Sequence, residues 1–464
     1  MMVGETALSG RYEAYPEYKD SGVEWLADVP SHWGAKPLKF MCTYNDEVLA
    51  DSVSDDHEIE YVDIGSVSAT EGITKSESMA FGKAPSRARR IVRDGDVIIS
   101  TVRTYLEAIA PIDNPPENLV VSTGFAVVRP NKLLHKGYAA YCLRANGFIK
   151  EVVAQSVGIS YPAINATDLV NIKAPEPTFD EQQKIANFLD HETAKIDTLI
   201  DKQQQLITLL KEKRQAVISH AVTKGLNPEA PMRDSGVEWL GKVPEHWVVS
   251  KLGQLAYMQE GPGLRHWQFK DKGTRVICVT NITEEGINFS KLEKFISDAE
   301  YLQSYQHFTV NSGDILLSSS GNSWGKVAKY EGNEKVILNT STIRLNELRQ
   351  RPLELEYLKN FLHSEACREQ LGVAMTGSCQ PNFGPTHLKE VRTPIPPASE
   401  QREISEYIAQ QLYKFDQPLL ACEQAIKLMY ERRTALISAA VTGKIDVRNW
   451  QAPVASNNNK EVNP

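Results

Sequence analysis

The chain carries one unit written twice. Asp20-Ser-Gly-Val-Glu-Trp-Leu-Ala-Asp-Val-Pro-Ser-His-Trp33 recurs as Asp234-Ser-Gly-Val-Glu-Trp-Leu-Gly-Lys-Val-Pro-Glu-His-Trp247, an offset of 214 residues. Arg93-Asp-Gly-Asp-Val-Ile-Ile-Ser100 is answered by Asn311-Ser-Gly-Asp-Ile-Leu-Leu-Ser318, and Gly158-Ile-Ser-Tyr-Pro162 by Gly377-Ser-Cys-Gln-Pro381. Glu181-Gln-Gln-Lys-Ile185 matches Glu400-Gln-Arg-Glu-Ile404, and the series closes with Arg214 to Thr223 against Arg433 to Thr442, where the offset is 219. So small a drift over half a chain means one fold built twice with short loop insertions. At 464 residues more than one core is expected in any case.

Each half divides again. Its first part mixes short β-branched runs with glycine and proline punctuation, the pattern of an α/β globular head. Val97 to Val102, Val120-Val121 with Phe125 to Val128, Val276 to Val279 and Asp314 to Leu317 are the clearest strands. Pro175 and Pro177, then Pro394, Pro396 and Pro397, mark stiff exits, because proline continues neither a ladder nor a helix interior. A long helix follows each exit. The first opens on a capping box, Thr178-Phe-Asp-Glu181, and places apolar residues at Ile185, Leu189, Ile196, Leu199, Leu206, Leu210 and Val217. The second gives Ile404, Ile408, Phe415, Ala425, Met429 and Leu436. A sustained heptad seam predicts helix-on-helix packing, here two antiparallel helices of about 40 residues, roughly 60 Å each. Pro418 stands where the first helix has Leu199, which predicts a kink or break. The expected fold class is α+β, two similar α/β domains joined by two long spacer helices: a first head over 1–175, a helix over 176–226, a second head over 232–396, a helix over 397–445 and a disordered tail over 446–464.

Two similar heads on a stiff spacer suit a ligand with two sites at fixed separation, and duplex DNA repeats its groove presentation about every 34–36 Å. The same pattern also fits a plain oligomerisation scaffold. A net charge of −8 speaks against a uniformly basic nucleic-acid binder, although a local basic face can still hold phosphate. No apolar run approaches the ~20 residues of a membrane span, and Met1 to Gly10 lacks the make-up of a signal peptide. Six scattered cysteines, none in a C-x-x-C pair, indicate neither zinc nor a disulfide framework. A cytoplasmic protein with reduced thiols is expected.

The candidate contact residues fall in six segments. Ser86 to Arg93 concentrates Arg87, Arg89, Arg90 and Arg93, and arginine pairs phosphate or reads guanine in bidentate fashion. After the glycine–aspartate strand comes a polar turn, with Thr101, Arg103, Thr104 and Tyr105 in one half and Ser319, Ser320, Asn322, Ser323 and Trp324 in the other. Glu260 to Trp267 contributes Gly263, Arg265 and His266; the repeated loop contributes Ser160 and Tyr161, then Ser378 and Gln380. Such hydroxyl, amide, guanidinium and aromatic groups contact base edges and backbone, while ordinary hydrogen-bonded surface turns use the same residue types. Trp25, Trp33, Trp239 and Trp247 occupy the same place in both copies beside apolar neighbours, so they read as packing anchors rather than base-stacking platforms.

Catalytic motifs are missing. Asn114-Pro-Pro-Glu117 has the outline of an amino-methyltransferase loop, but Glu117 replaces the aromatic that would stack on a flipped base, and the other half has no counterpart. No P-loop, His-Glu-x-x-His or Gly-x-Ser-x-Gly segment occurs. Asp96 and Asp314 follow glycine without a spaced Glu-x-Lys, so they read as residues that shape a strand entry.

The assembled segments resemble the specificity subunits of Type I restriction–modification systems over nearly the whole chain. Tyr15 to Leu26 with Val29-Pro-Ser-His-Trp33 is similar to that family's opening, Gly313 to Val327 to its target-recognition domains, and Pro394-Ile-Pro-Pro397 with Glu400-Gln401 to its proline exit into a Glu-Gln helix. The resemblance implies two target-recognition domains, each reading half of a split site in double-stranded DNA, and no catalysis by the chain itself. It implies two modification subunits that carry S-adenosylmethionine and two motor–nuclease restriction subunits that use ATP and Mg. It also implies that the spacer helices dock the modification subunits, through exposed positions such as Asp190, Lys195, Lys211 and Lys213. In the first head Ser160-Tyr161 replaces Cys379-Gln380, as expected if the heads read different half-sites. Two alternatives remain at this stage: a recognition subunit of a restriction class with a fused modification–nuclease partner, and a scaffold that binds no DNA.

Overall fold

The repeated glycine–aspartate strands carry three consecutive apolar residues, Val97 to Ile99 and Ile315 to Leu317, and a strand of that composition is stable only where both of its faces are covered. The computed structural model, which describes residues 12–68, 70–284, 286–348, 353–375 and 382–452, covers them in this way in both copies. It divides into two units, Met1–Gln203 with Gln424–Pro464, and Gln204–Glu423.

The first unit has strands β1 (Cys42–Tyr44), β2 (Glu58–Val62), β3 (Glu77–Ala80), β4 (Ala88–Ile91), β5 (Val97–Ser100), β6 (Ile109–Pro111), β7 (Leu119–Ser122) and β8 (Phe125–Pro130). They form two four-stranded sheets of order β6-β5-β8-β1 and β3-β2-β7-β4, and β2 and β7 pair in parallel. Helices α1 (Lys136–Cys142) and α2 (Asn146–Ala154) follow, then α3 (Phe179–Lys224). Alternation along β5 assigns its side chains to two cores. Val97 and Ile99 pack with the helices, and Ile98 packs with Val121 and Val127 between the sheets.

The second unit repeats this strand for strand: β9 (Ala256–Glu260), β10 (Thr274–Ile277), β11 (Phe295–Ile296), β12 (Thr309–Val310), β13 (Ile315–Ser318), β14 (Val327–Lys329), β15 (Val336–Leu338) and β16 (Thr342–Glu347). The sheet orders are β14-β13-β16-β9 and β11-β10-β15-β12, with β10 and β15 parallel. Helices α4 (Leu355–His363), α5 (Glu365–Ala374) and α6 (Ala398–Val441) complete it. Ile315 and Leu317 face the helices, and Leu316 faces the other sheet.

The long helices α3 and α6 each contribute to both units, so each unit contains the start of one and the end of the other. Within each unit the two segments run antiparallel. In the first, Arg433 pairs Asp197 at 3.1 Å while Trp450, further on, sits edge-on to Phe188. In the second, Arg214 pairs Asp416 at 3.6 Å while Gly225 lies against Glu400.

A duplicated clamp fixes each head to both helix ends. The expected capping box forms at α3: Glu181 N–H donates to Thr178 Oγ1 at 3.3 Å and Thr178 N–H to Glu181 Oε2 at 3.4 Å. The same carboxylate accepts Trp33 Nε1–H at 3.3 Å and lies 2.8 Å from His32 Nε2. In the second unit Glu400 accepts Trp247 Nε1–H at 3.1 Å and lies 2.8 Å from His246 Nε2. The neighbouring glutamines tie in the head loops: His135 N–H donates to Gln182 Oε1 and Glu354 N–H to Gln401 Oε1, both at 2.8 Å. The C-terminal ends of the helices reach the same tryptophans. Gly225 and Gly443 take φ of 76° and 74° there, and a Cβ on Gly443 would stand 2.3 Å from Pro30 Cδ and 3.1 Å from Trp33 Cζ3.

Four expectations are corrected. Helix α6 is unbroken through Pro418, which lies exposed, where water can replace the lost donor. Leu199 and Leu206 are exposed rather than in the seam, and Ile200 is buried instead, because a helix of 3.6 residues per turn drifts off a strict heptad. Residues 446–452, assigned to a disordered tail, are packed: Val447 is fully buried and Asp446 N–H donates to Glu13 O at 2.8 Å. Residues 453–464 lie outside the described part. Trp33 and Trp247 are buried anchors, and Trp25 packs edge-on to Phe148, but Trp239 is 36% exposed. In the first head Trp25 lies over Gly147, where a Cβ would come within 2.6 Å of its ring; Ala366 and Cys367 stand where Gly147 and Phe148 would be.

Burial works to raise the Glu181 carboxyl, but hydrogen bonds from His32, Trp33 and Thr178 outweigh it and hold it below 4.5, the ordinary glutamate value. A depressed folded value stabilises above the unfolded pKa and is lost as pH falls through the folded one. Glu181→Gln is therefore expected to lower stability at pH 7 and to flatten the loss of stability below about pH 4.5, read from denaturation midpoints across pH.

Candidate nucleic-acid interface

In the first unit the turn after β5 and the loop before Asn165 form one built surface. Ser100 Oγ donates to Val102 O at 2.6 Å and Thr101 Oγ1 to Gly124 O at 2.9 Å. Thr104 Oγ1 donates to Ser156 Oγ at 2.7 Å, and Thr104 N–H to Pro162 O at 3.3 Å. The threonine hydroxyls thus hold the loop, and Arg103 and Tyr105 face solvent. Arg103 has the left-handed backbone (φ 52°, ψ 48°), and its guanidinium carbon lies 5.4 Å from the Tyr161 ring centroid. Two segments remote in sequence, Thr101 to Tyr105 and Ser160-Tyr161, therefore come together. Val157 and Ile159, which sequence reasoning did not select, lie on the same loop with 81% and 103% exposure. The available signal was an aliphatic pair flanking Gly158 outside any helical or strand period.

Most of the arginine cluster is engaged within the head. Arg89 pairs Asp51 at 3.3 Å and lies over the Phe81 ring, and Arg93 pairs Glu47 at 2.7 Å. Arg90 is half-buried, bonds Asn45 O at 3.5 Å, and is lowered in pKa by burial. Arg87 is exposed, and its guanidinium has no hydrogen bond or ion pair among the described residues. It is the member of the four positioned to take a phosphate.

The strand-entry aspartates are structural. Asp96 accepts Arg93 N–H at 2.7 Å and a bidentate pair from Arg129 at 2.9 and 2.8 Å; Asp314 accepts Asn311 N–H at 2.7 Å and is bonded by Asn346. Burial pushes the Asp314 carboxyl up against those bonds.

In the second unit the two candidate turns share an anchor. Ser341 N–H donates to Glu260 Oε1 at 3.2 Å, and Ser319 N–H donates to Ser341 O at 2.9 Å. Gly263, Arg265 and His266 are exposed, as is Trp267 at 72%, beyond the residues selected from that segment. Asn322 is exposed; Ser320, Ser323 and Trp324 are half-buried, and Trp324 sits edge-on to Phe383 with Arg368 over its ring. Ser319 is fully buried, and its hydroxyl has no partner among the described residues. Ser378 and Gln380 lie outside the described residues. Beside this turn a cleft of about 340 Å³ is lined by Lys211, Arg214, Lys326, Lys359 and Arg368, with two carboxylates, Glu284 and Glu356, among them. Burial pushes His363 at its wall down to about 4, with Lys359, Arg214 and Arg368 adding to the effect, so the wall is neutral imidazole in a positive field.

Among the described residues no group of three or more histidine, cysteine, aspartate or glutamate side chains could hold a metal ion, and no helix is long and apolar enough to cross a membrane. Replacing Arg129 by methionine strands the buried Asp96 carboxylate, at an expected cost of about 3 kcal/mol in chemical denaturation, and adding Asp96→Asn should recover most of it.

A family profile described as the Type I restriction modification DNA specificity domain matches the chain twice, over residues 32–209 and 244–427. The Type I restriction enzyme MjaVIII specificity subunit of Methanocaldococcus jannaschii is 25% identical over 339 residues, covering 72% of this chain and 76% of that protein. The Type I restriction enzyme EcoKI specificity subunit of Escherichia coli strain K12 is 23% identical over 337 residues, covering 70% and 69%. A chain from a structural study of complex assembly and conformational transition in the type I R-M system superposes with a TM-score of 0.67 at 20% identity, covering 90% of this chain and 99% of that one. That likeness bears on the fold alone.

Proposed function

The chain belongs to the Type I restriction–modification DNA specificity family, and from that premise we propose that it reads a bipartite site in double-stranded DNA, one half-site per head. The observation that carries this reading is the duplicated head: identical strand order in both copies, with different chemistry on the turns that leave β5 and β13. A common scaffold with divergent turns is what two different half-sites require, since phosphate contacts position a protein and base contacts specify. The first head offers Arg87, Arg103, Tyr105 and Tyr161; the second offers Arg265, His266 and Asn322, with the basic cleft beside Trp324 available to phosphate.

The helices set the gap between half-sites and dock two modification subunits. Unbroken α3 and α6, with exposed Leu206, Leu209, Tyr413 and Leu420 on their middle segments, support that role. Lys211 and Lys213 are exposed and open to such a partner, whereas Asp190 already accepts Tyr141 Oη–H and Lys195 pairs Glu192. Catalysis then lies with the partners, S-adenosylmethionine on the modification subunits and ATP with Mg on two restriction subunits.

Methylation mapping with and without the gene identifies the site. Exchanging residues ~16–175 for the first domain of another family member is expected to change one half of that site and leave the other intact. Unchanged methylation overturns the reading. Inserting four helical residues at the midpoint of both α3 and α6 adds ~6 Å and should widen the gap by about two base pairs. A lengthened chain that still methylates at the original gap would refute the spacer role.

A further inference from the structure

We propose that the tip of the Ser156–Ala163 loop is an apolar wedge, with Ile159 inserting between adjacent base pairs of the half-site read by the first head. This deepens the DNA-reading assignment and rests on it. Ile159 is fully exposed, and it stands at the end of a stiff support rather than on a slack loop. Val157 N–H donates to Ala163 O at 2.8 Å and Ala163 N–H to Val157 O at 3.0 Å, closing the base of the loop as a short antiparallel bridge. Ile164 N–H donates to Thr101 O at 2.9 Å, and the Thr104–Ser156 and Thr104–Pro162 bonds tie the base to the neighbouring turn. Gly158 turns the chain with φ of 120°, and a Cβ there would stand 3.1 Å from Tyr161 O. The apolar tip is thus held away from the head before any ligand arrives.

Size and charge select the occupant. The exposed apolar side chains on this loop and the adjoining turn are Val157, Ile159, Tyr161, Tyr105 and Leu106, well short of the roughly 20–30 residues a side of a stable protein interface. One aliphatic side chain flanked by aromatic and cationic groups matches the wedges that part base steps, where an arginine beside the wedge meets the phosphates. Arg103, stacked on Tyr161, provides that cation. The loop from Ser156 to Ala163 itself carries no carboxylate.

The test uses the full chain assembled with its modification subunits, on the duplex that methylation mapping identifies. 2-Aminopurine is placed in turn at each position of the first head's half-site except the methylated base. The wild-type complex should raise fluorescence several-fold at one step; Ile159→Ser should abolish the rise and weaken binding roughly tenfold, and Ile159→Met should restore both. Equal assembly of the variants with the modification subunits in the absence of DNA shows that they are folded. Unchanged fluorescence and affinity in Ile159→Ser would overturn the wedge while leaving DNA reading intact. Loss of subunit assembly without DNA by an Ile159→Ser chain that keeps the wild-type denaturation midpoint would overturn the wedge and mean that the tip docks protein. A wild-type complex with no sequence-dependent DNA binding would remove both the wedge and the reading on which it rests.

Discussion

One carboxylate in each copy, Glu181 or Glu400, ties the start of a long helix to the tryptophan of its head. A buried carboxylate costs several kcal/mol unless its lone pairs are filled, and each hydrogen bond to a charged group returns about 1.5–3 kcal/mol. Glu181 is 4% exposed and is filled by Thr178, Trp33, His32 and Tyr15 at once. Such a site has little tolerance for partial occupancy, so the indole, the imidazole and the helix start are fixed as a set. The other helix ends on the same indole through a left-handed glycine, and Tyr138 and Tyr357 donate to the last-turn carbonyls of Val441 and Val222. A head therefore holds the beginning of one long helix and the end of the other through a single buried corner.

That corner explains why the recognition surface can vary without disturbing the scaffold. The helix-facing side of β5 and β13 packs against the corner's core, the opposite side packs against the second sheet, and nothing of either strand is left for ligand. Binding groups must come from the turns that leave the strands. Those turns are pinned by local bonds, Thr101 to Gly124 and Thr104 to Ser156 in one head and Ser319 to Ser341 in the other, rather than by the core. Exchanging the outward residues then alters what is read and little else.

The sequence made the duplication, the principal strands, the capping box and both long helices legible, because each rests on local chemistry or on a repeat. What it hid depends on tertiary neighbours. Nothing in Ser86 to Arg93 announces that Asp51 and Glu47 wait for Arg89 and Arg93, leaving Arg87 outward. The heptad written through Leu199 and Leu206 treats the helix as supercoiled, whereas burial passes to Ile200 as the stripe drifts. Trp239 repeats Trp25 in sequence, but the glycine and phenylalanine that Trp25 packs on, Gly147 and Phe148, are Ala366 and Cys367 in the second copy. Among the site residues, Arg103 and Tyr161 were readable as separate candidates, yet their stacking was not.

The two heads also differ in how they spend their hydroxyls, and the difference bears on what each can read. In the first, Ser100, Thr101 and Thr104 all donate within the protein, so they stiffen the turn and offer bases no free O–H. The polar side chains that Thr101 to Tyr105 and the Ser156–Ala163 loop leave exposed are Arg103, Tyr105, Ser160 and Tyr161, one cation with two aromatic rings and three hydroxyls. In the second, Asn322 stands exposed on a turn whose serines lie half or wholly inside, with an arginine over the neighbouring indole. An amide in that position suits bidentate pairing with adenine, whereas the guanidinium of the first head suits guanine or phosphate. The shared scaffold thus presents two chemically distinct surfaces, the arrangement that the proposed bipartite reading requires.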